Sequence, residues 1–128
     1  MAFSAVSPAL PAWAAAWQKN ASGSYIGSDG SVLTGILSRG VDVSQWQQNI
    51  NWSAVAADDI QFAMIGARYN NAVDPYFETN VRGAAAAGLR VGVYLYSYAT
   101  TTAMAESDAD FVLNLIKDYP ISVSTFPM

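Results

Sequence analysis

The fold is decided by residues 61–96, which read QFAMIGARYNNAVDPYFETNVRGAAAAGLRVGVYLY. The segment opens with a short, mostly apolar run that is typical of a buried strand. Asp74 stands before Pro75, a pair that predicts a helix start, and Gly88 is a residue type that commonly follows a helix end. The apolar run 89–96 predicts the next strand. Because a helix joins the two strands, they are predicted to be parallel, with a right-handed crossover.

The same alternation extends along the chain in both directions. Residues 40–44 predict a first strand, and residues 51–57 predict a helix whose first residue, an asparagine, is a common N-cap. Apolar residues recur at helical spacing over 102–118, and a strand-like piece follows at 121–126. The order is βαβαβα with a short last strand, which predicts an α/β fold built on a parallel sheet.

The composition excludes several classes of function. The 128 residues are 52% hydrophobic and 12% charged, a balance typical of a folded chain, and the net charge of −4 argues against a nucleic-acid partner. The absence of Cys and His excludes disulfides, Cys/His zinc sites and an imidazole general base. No further ligands accompany Asp58-Asp59 and no glycine-rich nucleotide-binding motif occurs, so we expect no metal and no cofactor. No apolar run has the length of a membrane span.

Residues 1–39 differ in composition from the rest and are predicted to be a leader or linker. Their start is apolar and free of charge, and Ala12-Trp13-Ala14 is similar to a signal-peptide cleavage site, although the basic segment is missing. Export and a plain disordered linker both remain open. Residues 25–32 predict a hairpin around an Asp-Gly turn. The stretch 17–35 resembles one degenerate copy of the aromatic, glycine-rich wall-binding repeats of bacterial surface proteins, either as a remnant or by chance in a linker.

The candidate site lies at the carboxyl ends of the predicted strands, because the loops of parallel α/β folds meet at that edge. Asp42 ends the first strand, Arg68 and Tyr69 the second, and Tyr94, Tyr96 and Tyr98 the third. A carboxylate, a guanidinium and several aromatic faces suit a sugar ligand. The alternatives are structural: Asp42 as a turn cap, Arg68 in an ion pair with Asp42, and the tyrosines as core aromatics. The acidic residues of the last helix, Asp108 among them, are predicted to face solvent.

These residues also occur in motifs that resemble the first half of a glycoside hydrolase family 25 lysozyme. The resemblance covers residues 39 to about 120, in the family's order and spacing. It rests on Gly40-Val41-Asp42-Val43-Ser44-Gln45-Trp46-Gln47, Ile50-Asn51-Trp52, Asp74-Pro75-Tyr76-Phe77-Glu78-Thr79-Asn80, Ala86-Ala87-Gly88-Leu89-Arg90-Val91-Gly92-Val93-Tyr94 and Tyr96-Ser97-Tyr98-Ala99.

The resemblance implies a TIM-like β/α barrel that cleaves the β-1,4 bond between N-acetylmuramic acid and N-acetylglucosamine in peptidoglycan. Asp42 would be the active-site aspartate at the end of the first strand. Arg68, Tyr94 and Tyr96 are assigned to substrate binding from their position on the same rim. The resemblance further implies a peptidoglycan partner and a secreted or cell-wall location.

The sequence departs from the family pattern after residue 120. The resemblance implies an Asp-x-Glu motif on the fourth strand, whereas residues 121–128 read ISVSTFPM. We therefore expect residues 40–128 to form a partial barrel, truncated before the catalytic fourth strand is complete, with exposed edges that favour self-association. Because glycoside cleavage needs a second group beside Asp42, we expect this chain to be inactive. The alternative is a non-catalytic peptidoglycan-binding or interaction module.

Overall fold

The computed structural model describes residues 17–122 and divides the chain into two compact units, Met1–Leu37 and Ser38–Met128. The predicted cleavage-like site at Ala12-Trp13-Ala14 and residues 123–126 of the predicted last strand lie outside the described residues.

The described part of the first unit is a small antiparallel sheet. Its strands are β1 (Gln18–Lys19), β2 (Tyr25–Ile26) and β3 (Val32–Leu33), paired in the order β1-β2-β3. Both turns contain a glycine with positive φ, Gly23 at 84° and Gly30 at 82°, a conformation that other residues adopt only with strain. The hairpin predicted around the Asp-Gly turn is thus confirmed.

The second unit contains the predicted parallel sheet. Its strands β4 (Gly40–Val43), β5 (Phe62–Gly66) and β8 (Arg90–Tyr94) are hydrogen-bonded in the order β4-β5-β8, with both pairs parallel. The connecting helices are α1 (Trp52–Ala57) and α2 (Phe77–Ala86), and α3 (Thr102–Ile116) follows β8. A short antiparallel ladder joins β6 (Arg68–Tyr69) to β7 (Ala72–Val73). Over residues 17–122 the fold is therefore mixed α/β, and no closed barrel is formed.

One face of the parallel sheet is covered by the helices and forms the core. Side chains alternate between faces along a strand, so every second residue of β5 and its extension points to the helices. Ala63, Ile65 and Ala67 are fully buried there. They share one cluster with Val43 and Val91 of the neighbouring strands, with Trp52, Phe77, Val81 and Ala84 of α1 and α2, and with partly buried Phe111, Val112, Leu115 and Ile116 of α3.

The opposite face of the sheet is open, and glycines alternate there with large side chains. In the strand register Gly40 lies opposite Phe62, and Met64 lies opposite Gly92. A Cβ atom at Gly40 would lie 2.2 Å from the Phe62 ring, and one at Gly92 would lie 2.5 Å from the Met64 sulfur. Each glycine therefore makes room for the large residue on the adjacent strand.

The third strand ends at Tyr94 rather than Tyr96, so Tyr96 and Tyr98 lie on the loop that follows it. Two further predicted boundaries are wrong, for identifiable reasons. Helix α2 begins at Phe77 rather than Pro75, because residues 74–77 first form a turn in which the Phe77 N–H donates to the Asp74 carbonyl at 2.9 Å. The second strand of the sheet ends at Gly66, so Arg68 belongs to the β6–β7 hairpin. The turn of this hairpin contains Asn70 with a φ of 53°.

The chain after α3 returns to the free edge of β8. The Ser122 N–H donates to the Val91 carbonyl at 2.8 Å, and the Val91 N–H donates to the Ser122 hydroxyl at 3.1 Å. The first of these is a backbone bond of the kind expected of another strand beside β8, and the second uses the serine side chain. They involve the second residue of the predicted strand 121–126.

Gly83 in the middle of α2 lies against the indole ring of Trp52 from α1. Because a Cβ atom there would lie 2.3 Å from the Trp52 Cδ1 atom, we expect Gly83→Ala to lower the free energy of unfolding by ~1–3 kcal/mol. Without the clash, the higher helix propensity of alanine would raise the free energy of unfolding by ~1 kcal/mol. Urea denaturation of the single variants and of Gly83→Ala combined with Trp52→Leu measures the coupling. An equal effect of Gly83→Ala in both backgrounds would contradict the steric explanation.

Candidate functional site

A cleft of about 680 Å³ opens at the carboxyl ends of β4, β5 and β8. Three of the four predicted site residues, Arg68, Tyr94 and Tyr96, line it, as does Tyr98. The remaining lining residues come from the turn after β4, from the end of β5 and from the β6–β7 hairpin with its neighbours: Ser44, Trp46, Gly66, Tyr69, Asn70, Asn71 and Asp74.

Asp42, the fourth predicted residue, lies on the open face of β4 and is exposed. In the sheet register Asp42 is opposite Met64. Gly66 lies two residues beyond Met64, nearer the carboxyl end of β5, and is opposite Tyr94. Asp42 thus lies just below the cleft wall. Its charge is close enough to the Tyr94 hydroxyl to favour the neutral phenol.

Tyr94 connects the sheet to the cleft. Burial raises the pKa of its hydroxyl above the ordinary value of 10.0, a hydrogen bond with Ser44 opposes the shift, and the negative charges of Asp42 and Asp74 add to it. A Cβ atom at Gly66 would lie 3.2 Å from the Tyr94 hydroxyl oxygen, so the glycine leaves room for this group. At neutral pH, Tyr94 presents a protonated hydroxyl beside two carboxylates.

Arg68 makes an ion pair with Asp108 of α3. Its Nη1 donates to Asp108 Oδ1 at 2.6 Å, and its Nη2 donates to the Tyr96 carbonyl at 3.1 Å. The other oxygen of Asp108 accepts a hydrogen bond from the Ser97 hydroxyl at 2.6 Å. The hydrogen bond from Arg68, followed by that from Ser97, lowers the pKa of Asp108. The prediction that Asp108 faces solvent is wrong, because helical spacing does not reveal a side chain that reaches it from β6.

Asp74, predicted only to mark a helix start with Pro75, is a carboxylate that lines the cleft. It is buried, and its Oδ1 accepts from the Tyr76 N–H at 2.8 Å while its Oδ2 accepts from the Gln45 N–H at 2.9 Å. The second bond joins the loop before α2 to the 3₁₀ turn Gln45–Gln47. Asp74 therefore fixes the backbone that carries Trp46.

Exposed aromatic rings stand on two sides of the cleft. Trp46 and Tyr69 meet edge to face with ring centroids 5.8 Å apart. Tyr96 and Tyr98 are stacked at 6.3 Å, and their side chains are 73% and 79% exposed, so neither is a core aromatic. In the sequence, Trp46 was marked only by its place in the motif of residues 40–47 that resembles family 25. Tyr69 was placed at this edge together with Arg68, at the end of the second predicted strand.

The comparison with protein families agrees with this geometry. The sequence model described as glycosyl hydrolases family 25 matches residues 41–128, which is more than half of the chain. The chain belongs to glycosyl hydrolase family 25. The resemblance seen in the 40–98 motifs is thereby confirmed.

The similar proteins are longer than this chain, which spans between 20% and 37% of their length. Lysozyme M1 of Streptomyces globisporus is 40% identical over 60 residues, which are 46% of this chain and 20% of that protein. The modular autolysin LytC of Streptococcus pneumoniae, solved with a synthetic peptidoglycan ligand, has a TM-score of 0.70 at 23% identity and shares the fold over 86% of this chain and 26% of its own. A family 25 glycosyl hydrolase of Bacillus anthracis has a TM-score of 0.55 at 30% identity, over 64% of this chain and 37% of that one.

Removal of the Asp74 carboxylate should destabilise the protein. Asp74→Ala leaves the Gln45 and Tyr76 N–H groups without their acceptor, and we expect a loss of ~2–4 kcal/mol in the free energy of unfolding, measured by urea denaturation. Asp74→Asn keeps one carbonyl acceptor and should lose about half as much. An unchanged midpoint in Asp74→Ala would contradict the assigned role.

The raised pKa of Tyr94 should appear in alkaline titration. The stability that the neutral phenol contributes is complete below pH 10, and it is lost as the pH rises through the raised folded-state pKa. In a tyrosinate absorbance titration, Tyr94→Phe should remove a step above pH 10, whereas the control Tyr98→Phe should leave that step in place. Removal of a step at or below pH 10 by Tyr94→Phe would contradict the effect of burial.

Proposed function

We propose that this chain binds peptidoglycan as a family 25 lysozyme domain does, and that Asp42 is one of the two groups needed to hydrolyse the β-1,4 bond between N-acetylmuramic acid and N-acetylglucosamine. The observation that carries the proposal is the position of Asp42, exposed on the open sheet face directly below an aromatic cleft, in a family 25 chain. The name of Lysozyme M1 and the peptidoglycan ligand solved with LytC support the same substrate class.

The proposed substrate contacts follow from the chemistry of the cleft. Tyr96 offers an exposed ring face for a sugar ring, and Tyr94 offers a protonated hydroxyl as a hydrogen-bond donor. Pockets of a few hundred Å³ with apolar walls and a few polar groups are typical of small-ligand sites, so the cleft suits a sugar. Arg68 lines the same cleft.

Asp42 alone can perform only half of the reaction. Glycoside cleavage needs an acid that protonates the leaving oxygen and a second group that stabilises or attacks the sugar cation. Asp74 and Asp108, the other carboxylates near the described cleft, each have both oxygens in hydrogen bonds. We therefore propose that the 128-residue chain binds glycan without hydrolysing it at a measurable rate. Loss of general acid catalysis alone costs about 10²- to 10⁴-fold in rate.

The alternative, a non-catalytic wall-binding role, has support in the first unit. There the Trp17 and Tyr25 rings meet edge to face at 5.8 Å, and the Lys19 ammonium lies 5.3 Å from the Tyr25 ring centroid. For either role we propose a secreted or cell-wall location, and self-association through the sheet edges. Within residues 17–122, no helix combines the length and apolarity needed to cross a membrane.

A peptidoglycan zymogram and a sedimentation assay with insoluble peptidoglycan test the proposal together. The purified chain and its Asp42→Asn variant should both sediment with the polymer, and neither should clear it, whereas Lysozyme M1 serves as the positive control for clearing. Asp110→Asn on α3 is the matched control for the loss of one negative charge.

The other outcomes are distinct. Clearing by the parent chain but not by Asp42→Asn would support Asp42 and contradict the proposed inactivity. Clearing by both would contradict the role of Asp42. Failure of both proteins to sediment would contradict peptidoglycan as the partner.

A further inference from the structure

The segment 95–101 connects β8 to α3, has no regular secondary structure, and carries the stacked pair Tyr96 and Tyr98. The two rings are mostly exposed, so their positions depend on the backbone beneath them. That backbone is held by the Arg68 donor to the Tyr96 carbonyl and by the hydrogen bond of Ser97 to Asp108. The Ala99 N–H donates to the same Ser97 hydroxyl at 3.2 Å.

Asp108 is the centre of this arrangement. One of its oxygens accepts from Arg68 and the other from Ser97, both at 2.6 Å. Hydrogen bonds of this length to an ionised group are among the strong ones in proteins. The side chains of Arg68 and Asp108 are each only 17% exposed, and the guanidinium carbon lies 5.7 Å from the Phe111 ring centroid. The pair is thus partly shielded from water, where screening is weaker than at an open surface.

The geometry leaves Arg68 with little freedom for direct substrate contact. Both Nη atoms donate to groups of the protein itself, Asp108 and the Tyr96 carbonyl. If the guanidinium turned toward a ligand, it would have to release the carboxylate and the loop together. Arg68 and Asp108 therefore act on the cleft through the loop that they hold.

We propose that Asp108 is a positioning residue which, through Arg68 and Ser97, fixes the Tyr96–Tyr98 pair as a preorganised platform for a sugar ring of the peptidoglycan strand. The proposal rests on the proposed function of the cleft. Its physical basis is that ordering a loop and two side chains at the moment of binding consumes binding free energy, whereas a loop that is already ordered does not. The function of the ion pair is therefore to order the aromatic platform before the glycan arrives.

The test combines a measurement without ligand and one with ligand. Hydrogen exchange of the 95–101 amides and the near-ultraviolet circular dichroism of the tyrosine pair are compared in the parent chain, Asp108→Asn and Ser97→Ala. The matched control is Asp110→Asn, which removes the same charge from an exposed position on the same helix. Ser97→Ala keeps the ion pair and removes the two hydrogen bonds of the Ser97 hydroxyl, to Asp108 and from the Ala99 N–H, so it tests the proposal even if Asp108→Asn fails to fold.

The glycan measurement is a nuclear magnetic resonance titration with a soluble tetrasaccharide of alternating N-acetylglucosamine and N-acetylmuramic acid. Asp108→Asn and Ser97→Ala should show faster exchange in 95–101, unchanged exchange in β5, an altered tyrosine dichroism, and a Kd raised roughly tenfold, because two side chains must then be ordered on binding. Asp110→Asn should behave as the parent chain.

Three results would overturn the proposal or its basis, and they are distinguishable. Unchanged exchange and dichroism in both loop variants would overturn the positioning role. A loosened loop with an unchanged Kd would overturn the link between loop order and sugar binding. Failure of the parent chain to bind the tetrasaccharide would contradict the proposed function, while the exchange data would still decide whether Asp108 orders the loop.

Discussion

The parallel register of β5 between β4 and β8 is the constraint on which the rest of the second unit depends. Because side chains alternate along each strand, this register places Ala63 and Ile65 against the helices. The residues that alternate with them in β5 lie on the open face. A slip of β5 by one residue would exchange its two sets of side chains, and a slip of β4 would turn Asp42 toward the apolar core. The hydrophobic cluster under the sheet therefore determines which residues the open face offers for chemistry.

The described cleft uses its carboxylates in two different ways. Both oxygens of Asp74 accept hydrogen bonds from backbone N–H groups, and those of Asp108 accept from an arginine and a serine. These bonds hold loops in place. Asp42 lies in the strand itself and needs no such partners to be held. Carboxylates that hold loops and the exposed carboxylate of Asp42 thus occur close together, and burial and hydrogen bonding distinguish them.

The strand and helix order was readable from the sequence, because the apolar runs, the asparagine N-cap before α1 and Gly88 after α2 are local signals. The resemblance to family 25 likewise rested on contiguous motifs. The roles of Asp74 and Asp108 were not readable, because each depends on a partner distant in the chain: Gln45 lies 29 positions from Asp74, and Arg68 lies 40 positions from Asp108. The β6–β7 hairpin was missed because two-residue strands leave no periodicity to detect.

The pairing of glycines with large side chains on the open face has a consequence for sequence change. Phe62 occupies the space above Gly40, Met64 that above Gly92, and Tyr94 borders Gly66, so the volume at each of these places is shared by two chain positions. A larger residue at one member of a pair is tolerated only if the other becomes smaller. Across variants of this fold, residue size at positions 40 and 62, and at 64 and 92, should therefore change in opposite directions. A larger residue at one position alone should destabilise the fold, whereas the double exchange with a smaller partner should be tolerated.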